Sequence, residues 1–457
     1  MRPTTPALLA LTTVLALVPL AACGGSHSDP DTVKVAYQRT TDNKNRILDD
    51  YLAEVRKQFE REHPGKKMRL IPVQAAQADY YSKVQQMMRS AKTAPDIVRE
   101  DTFVINSDVK AGYLRPLDDK LSGWKDWSRF APSAKAAVKG EDGRTYGVPD
   151  GTDTRGLWFN KELFAKAGLP TDWRPRTWQD VLDTARTLKR ALPGVIPLNV
   201  YTGKGPGEAA TMQGFEMLLY GTVTGDAAGK DPLYDADATK WIAGSRGFED
   251  ALEFVRTVYA EKLGPDPSDA LDPNVDSHVA TEWIPSGKLA IDLDGNWLGK
   301  NWLPSGGKPW PRWSQVMGQA PFPTQHGAAP GAVSMSGGWA WSVTARSGKA
   351  DLAWQAVETL QTKDNAVKWD VKDAGIAVRD DVAADSAYLT SMPGVGFFTG
   401  LVKDTHYRPA LPVYPQISSA IREAMESVTT GDATAARAAA RYAAALKSIS
   451  GVSVEER

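Results

Sequence analysis

TVKVAYQRTTDNKNRILDDYLAEVRKQFEREHPGKKMRLIPV (residues 32–73) opens with Val33, Val35 and Tyr37 alternating with other residues. That is the period of a half-buried strand. In the middle, Ile47, Leu48, Tyr51, Leu52, Val55 and Phe59 fall on one helical face, and His63-Pro64-Gly65 stops the helix. MRLIPV (68–73) is again strand-like. YYSKVQQMMRSAK (80–92) then reads as a second helix and PDIVRE (95–100) as a third strand. Strand, helix, strand, helix, strand predicts a parallel α/β sheet.

Further along, YGVPDGTDTRGLWFN (146–160) reads as one β-like run, followed by a helix beginning at NKELFAKAGL. Thr177 is placed to cap the next helix, WQDVLDTARTLKRAL. Residues 205–262 are expected to be mostly helical. GKLAIDLDGNW (287–297) is a strand entering a loop with Trp297, Trp302, Trp310 and Trp313 among glycines and prolines. AVSMSGGWAWSVTA (332–345) reads as two short strands broken at the glycines, and the stretches after 350 as helices, the last of them Ala-rich. In the other direction, MRPTTPALLALTTVLALVPLAAC has an apolar run from Ala7 to Ala22, too short and too interrupted to span a bilayer. It reads as an export signal over 1–22. Cys23, the only cysteine, and the GGSHSDP tether (23–30 with the cysteine) follow it. The segment resembles a bacterial lipobox, which implies lipidation of Cys23 and attachment to a membrane.

The chain of 457 residues is long enough for two or three domains. With 54 basic and 55 acidic residues, no basic surface points to nucleic acid or anionic lipid. A single cysteine leaves no disulfide and no thiolate metal site. GKGPGEAATMQG (203–214) lacks the ending of a phosphate loop, the five histidines are dispersed, and no Gly-x-Ser-x-Gly elbow occurs. Asp292 and Asp294 have the composition of a glycosidase pair, but the expectation for such a pair is a solvated surface. No catalytic residue, cofactor or metal is expected.

Several segments resemble, in order, those of the extracellular solute-binding proteins of carbohydrate ABC transporters, the family that includes maltose-binding protein. They are Tyr146 to Pro149, Phe159 to Phe164 (with Phe159 for the usual tyrosine) and Thr177 to Val181, with APDIVRED, LRPLDD, GKLAIDLDGNW, SGGWAWSV and RPALPVYPQIS. The resemblance covers nearly all of residues 31–457. It implies a two-lobed α/β periplasmic-binding-protein fold with hinge strands and a central ligand cleft. Crossings are expected near 152–156, 333–337 and 383–387. The first lobe would comprise 31–151 with 338–382, and the second 157–332 with 388–457.

The resemblance also implies a monomer that binds a di- or oligosaccharide and hands it to the permease subunits of an ABC importer. Aromatic rings pack on the apolar faces of a pyranose while carboxylates, amides and guanidinium groups take its hydroxyls. Trp297 and Trp339 are the expected stacking residues, with Gly338 bringing backbone close to ligand. Asp153 is the expected hydroxyl acceptor. Glu100 and Asp101 stand at the cleft edge, where one of them binds ligand, and Arg39, Gln213 and Arg408 are further candidates. Trp302, Trp310 and Trp313 either line an extended subsite or cover the lobe. Two other readings share an aromatic, acidic cleft: a secreted glycoside hydrolase and a binder of a non-sugar solute.

Overall fold

The computed structural model of the protein describes residues 29–41, 46–227, 230–449 and 451–456. The leader expected over 1–22, with Cys23, lies outside the described residues. Thr32–Arg39, Lys67–Gln74 and Ile97–Asp101 are strands, and the helices Ile47–Glu62 and Gln77–Met88 connect them. Thr32–Arg39 pairs in parallel with both neighbours, the pairing that helical crossovers produce. Two later segments complete this sheet. Trp339–Val343 lies antiparallel to Ile97–Asp101 on one side and to Val148–Gly151 on the other. The apolar stripe read from the sequence is the buried face of the first helix, with Tyr51, Leu52, Val55 and Phe59 inside. It packs on the helices Ala350–Leu360 and Lys363–Asp373 and shares a core with Val33, Val35 and Trp341. Burying each such side chain is worth about 1.5–3 kcal/mol.

A second sheet has the order Met317–Ala320, Arg155–Asn160, Leu289–Gly295, Ile196–Asn199. Beside it a small sheet joins Phe322–Pro323, Ala332–Ser336 and Thr405–Tyr407. The two principal sheets head two lobes, and the chain passes between them at 152–154 and again at Gly337 and Gly338. Thr177 caps the helix Trp178–Ala191 in a reciprocal capping box with Asp180, satisfying backbone donors that the first turn leaves open.

Two local expectations need correction and a third needs detail. The β-like run of 146–160 is two strands, Val148–Gly151 and Arg155–Asn160, one in each principal sheet. Residues 205–262 are mostly helical, as expected, but not wholly so. They include the strands Tyr234–Asp235 and Lys240–Ala243, and Ala210–Glu216 winds as a π-helix. A side chain at Gly214 would place its Cβ 1.7 Å from the Tyr201 carbonyl oxygen, so this wide turn exists against Tyr201 only because residue 214 is glycine. The third crossing near 383–387 is not a strand but the short helices Asp380–Ala383 and Ser386–Leu389. Asp385 accepts a hydrogen bond from the Ala387 N–H there, a capping contact that starts a helical turn.

Candidate ligand-binding cleft

The two crossings between the lobes are tied to each other. Thr152 Oγ1 donates to the Gly337 carbonyl (2.9 Å), and Gly337 N donates to Asp153 Oδ1 (2.8 Å). Ser336 Oγ donates to the Asp153 carbonyl at 2.5 Å. Gly338 has φ +140°, and a Cβ on it would lie 2.6 Å from the Gly151 carbonyl oxygen. Glycine is required at 338 both for its conformation and for this approach.

Between the lobes lies a cleft of about 310 Å³, at the small end of the roughly 300–1,000 Å³ of small-molecule sites. Arg39, Asp101, Gly338 and Trp339 line it from the side of the first sheet, and Gln213, Trp297 and Arg408 from the second, with Asp153 at the crossing. Glu100 is not among them. Side chains alternate along a strand, so Arg99 and Asp101 share the cleft-facing side of Ile97–Asp101 while Glu100 points away. Glu100 is fully buried and neither carboxylate oxygen has a hydrogen-bond partner. Burial first, then the charges of Asp108 and Asp101, push its carboxyl far above the ordinary carboxylate range.

Ion pairs dominate the polar lining. Arg408 Nη2 donates to Asp101 Oδ1 at 2.8 Å and its Nη1 to Glu208 Oε1 at 3.3 Å, so one buried guanidinium joins the lobes. Arg155 Nη1 donates to Asp153 Oδ1 at 2.5 Å and to the Met335 carbonyl at 2.9 Å. Arg99 Nε donates to Asp150 Oδ2 at 2.7 Å, with both side chains nearly excluded from solvent. Removing one partner of such a buried pair typically costs about 3–5 kcal/mol. Arg39 is held by Asp49, and Lys300 of the second lobe by Asp373 of the first.

Asp292 and Asp294 overturn the expectation of a solvated surface pair, since both are buried. Asp292 accepts from Asn199 Nδ2 at 2.9 Å. Asp294 reaches the cleft and accepts from Gly295 N, Tyr201 OH and Gln213 Nε2. Burial pushes the Asp294 carboxyl up to about 7, against these hydrogen bonds and the charge of Arg155.

Two indoles face one another's side of the cleft from different lobes. Trp297 is half-buried, with the Arg155 guanidinium 4.8 Å from its ring centroid. A Cβ at Gly295 would fall 2.0 Å from that ring, so glycine makes the room in which the indole lies. Trp339, also half-buried, stacks at 6.2 Å and 28° on Tyr81, with Arg99 4.8 Å from its centroid. The loop tryptophans behave otherwise. Trp302 and Trp313 are buried, and Trp302 meets Trp158 edge-on at 5.6 Å and donates Nε1–H to the Ala280 carbonyl. Trp310 is half-buried, edge-on to Trp302. They cover the lobe.

Sequence reasoning missed Arg99, Asp150, Arg155, Glu208, Asp294, Lys300, Trp369 and Asp373, all of which line the cleft. For Arg99 and Asp294 a signal existed: each lies on the cleft side of a strand, two residues from a recognised or noted position. No group of His, Cys, Asp and Glu among the described residues is arranged to hold a metal ion.

The model of the bacterial extracellular solute-binding protein family matches residues 45–367. The lactose-binding protein of Rhizobium radiobacter is 23% identical over 321 residues, 68% of this chain and 67% of that protein. Among solved structures, a solute-binding protein of Thermotoga lettingae TMO bound with α-D-tagatose superposes with a TM-score of 0.76 at 23% identity, covering 91% of this chain and 98% of that one. Maltose-bound MalE3 of T. maritima gives 0.76 at 20% identity, covering 91% and 99%. The superpositions establish a shared two-lobed fold, and the match over residues 45–367 places this chain in the bacterial extracellular solute-binding protein family.

Proposed function

We propose that the protein is the sugar-capturing component of an ABC importer. It closes its lobes on a di- or oligosaccharide and delivers it to the permease from the outer side of the membrane, to which lipidated Cys23 tethers it. The observation that carries this reading is the pair of half-buried tryptophans, Trp339 and Trp297, entering one cleft from different lobes among hydrogen-bonding side chains. A pyranose offers apolar faces to such rings and hydroxyls to such groups. The tagatose and maltose bound by the structural neighbours, and the lactose named for the relative, support it.

Trp297 and Trp339 stack on the sugar. Asp101, Asp153, Gln213, Arg39 and Arg408 take hydroxyls, and Gly338 lets backbone approach. The lobes are 31–151 with 338–382, and 157–332 with 388–457. Ligand that touches both lobes favours closure in proportion to its differential affinity for the closed form.

A thermal-shift screen against neutral mono-, di- and oligosaccharides, followed by calorimetry, tests the reading. Ligand at 100 times its Kd adds about 2.7 kcal/mol of stability. Absence of any stabilising sugar would overturn sugar capture, and hydrolysis products at enzyme-like rates would overturn binding as the function. Cys23→Ala is expected to release the protein from the membrane fraction; retention after a salt wash would place the anchor elsewhere.

A further inference from the structure

The cationic side chains that line the cleft among the described residues are each neutralised by a carboxylate of the same chain. Arg39 is paired with Asp49, Arg99 with Asp150, Arg155 with Asp153, Lys300 with Asp373, and Arg408 with Asp101 and Glu208. Among the described residues, six carboxylates meet the five cationic groups of the lining in these pairs, Arg408 meeting two of them. Two of the pairs, those of Arg99 and Arg408, are almost wholly screened from water, while in the third the Arg155 guanidinium is buried and Asp153 is partly exposed, so solvent does little to soften what happens to the buried charges.

An anionic ligand has two ways to sit in such a place. It takes a guanidinium away from its partner, which leaves a buried carboxylate unpaired, or it stays unpaired beside an excess of carboxylates. A hydroxyl asks for neither, because it hydrogen-bonds to paired groups without separating them. An ammonium gains from the excess acid. We infer that the cleft selects a sugar carrying no negative charge, and excludes uronic acids and sugar phosphates. This rests on the sugar-binding reading above.

The test takes the neutral sugar that binds best in the screen and compares it, by calorimetry on the same protein, with its uronic acid and its 2-amino-2-deoxy analogue. The uronate is expected to bind more weakly than the parent by about tenfold or more, and the amino sugar within about tenfold of the parent or tighter. A uronate that binds as tightly as the parent, or more tightly, overturns the inference and leaves sugar capture standing. A screen in which no sugar binds removes sugar capture, and the inference with it. Asp150→Asn removes the carboxylate to which Arg99 donates, so it is expected to narrow the uronate–parent gap severalfold, with melting temperature read alongside. A folded variant with an unchanged gap would overturn the pairing as its cause.

Discussion

Trp302 and Trp313 on one hand, and Trp297 and Trp339 on the other, come from glycine-rich segments of similar composition and end in opposite places. The first pair joins Trp158 and Phe398 in an aromatic cluster with centroids 5.2–6.1 Å apart, and the N–H of Trp302 is spent on an inward carbonyl. The second pair stays half-buried at the cleft, each ring beside an arginine that is itself ion-paired. The glycines differ in purpose as well. A Cβ at Gly306 would stand 2.3 Å from the Lys300 carbonyl, so that glycine folds the loop down on itself, whereas Gly295 and Gly338 make room at the cleft. An indole in a loop is therefore read by where its N–H goes and by what its neighbouring glycine approaches.

The sharpest way to break this contrast is Trp302→Ala. Removing a buried tryptophan costs about 3–5 kcal/mol, so denaturant unfolding is expected to show a loss of that size, with sugar affinity of the folded protein unchanged. A variant of full stability that no longer binds sugar would reverse the assignment. Next in size are Trp339→Ala and Trp297→Ala. Truncating a well-packed aromatic contact commonly costs about 2 kcal/mol of binding, roughly thirtyfold in Kd, and calorimetry is expected to record it with little change in melting temperature.

The contrast extends to carboxyls. Asp294 faces the cleft, while Glu216 is buried within the second lobe, where burial and then the charge of Glu208 push it up to about 8. The folded protein therefore keeps a proton on Glu216 that the unfolded chain releases near its ordinary value of 4.5. Stability from this group is complete below that value and falls as pH rises through about 8. Glu216→Gln is expected to flatten this fall, raising stability at pH 9 by about 1–2 kcal/mol without altering sugar affinity; a melting curve with the same pH slope would contradict it. Smallest is Trp310→Ala. The half-buried ring, edge-on to Trp302, is expected to contribute about 1 kcal/mol of stability and nothing to affinity for sugars of any length. A loss that grows with ligand length would revive an extended subsite.

Much of the frame was legible in periodicity. Val33, Val35 and Tyr37 mark their strand, the stripe from Ile47 to Phe59 its helix, and the glycines at 337 and 338 the break between two strands. Local rules sufficed because each of these elements buries one face. The cleft was legible as a set of segments rather than as chemistry. Asp101 pairs with Arg408 across 307 positions of sequence and Arg99 with Asp150 across 51, and no local pattern encodes such partners. The π-helical turn at Ala210–Glu216 depends on contact with Tyr201, again a tertiary matter. Glu100 was separable from Asp101 by alternation alone. Burial of Asp292 and Asp294 was not, because an acidic i, i+2 pair has the same pattern on a solvated strand as on a covered one.

Side chains of the protein itself join the lobes: Arg408 to Asp101, Lys300 to Asp373, and Thr41 Oγ1 to Asn274 Oδ1 at 2.7 Å. Part of the free energy of closure is thus independent of cargo. On the sugar-capture reading proposed above, capture would then have a gate, since a sugar would enter only during the intervals when these contacts have parted. The association rate is then expected to climb with sugar concentration and to level off at the opening rate. The apparent Kd would be the intrinsic one divided by the fraction of molecules competent to bind. On the same reading, loosening the Arg408 bridge is expected to speed loading and unloading together, so that rapid delivery and firm retention of sugar would be set against each other by one guanidinium.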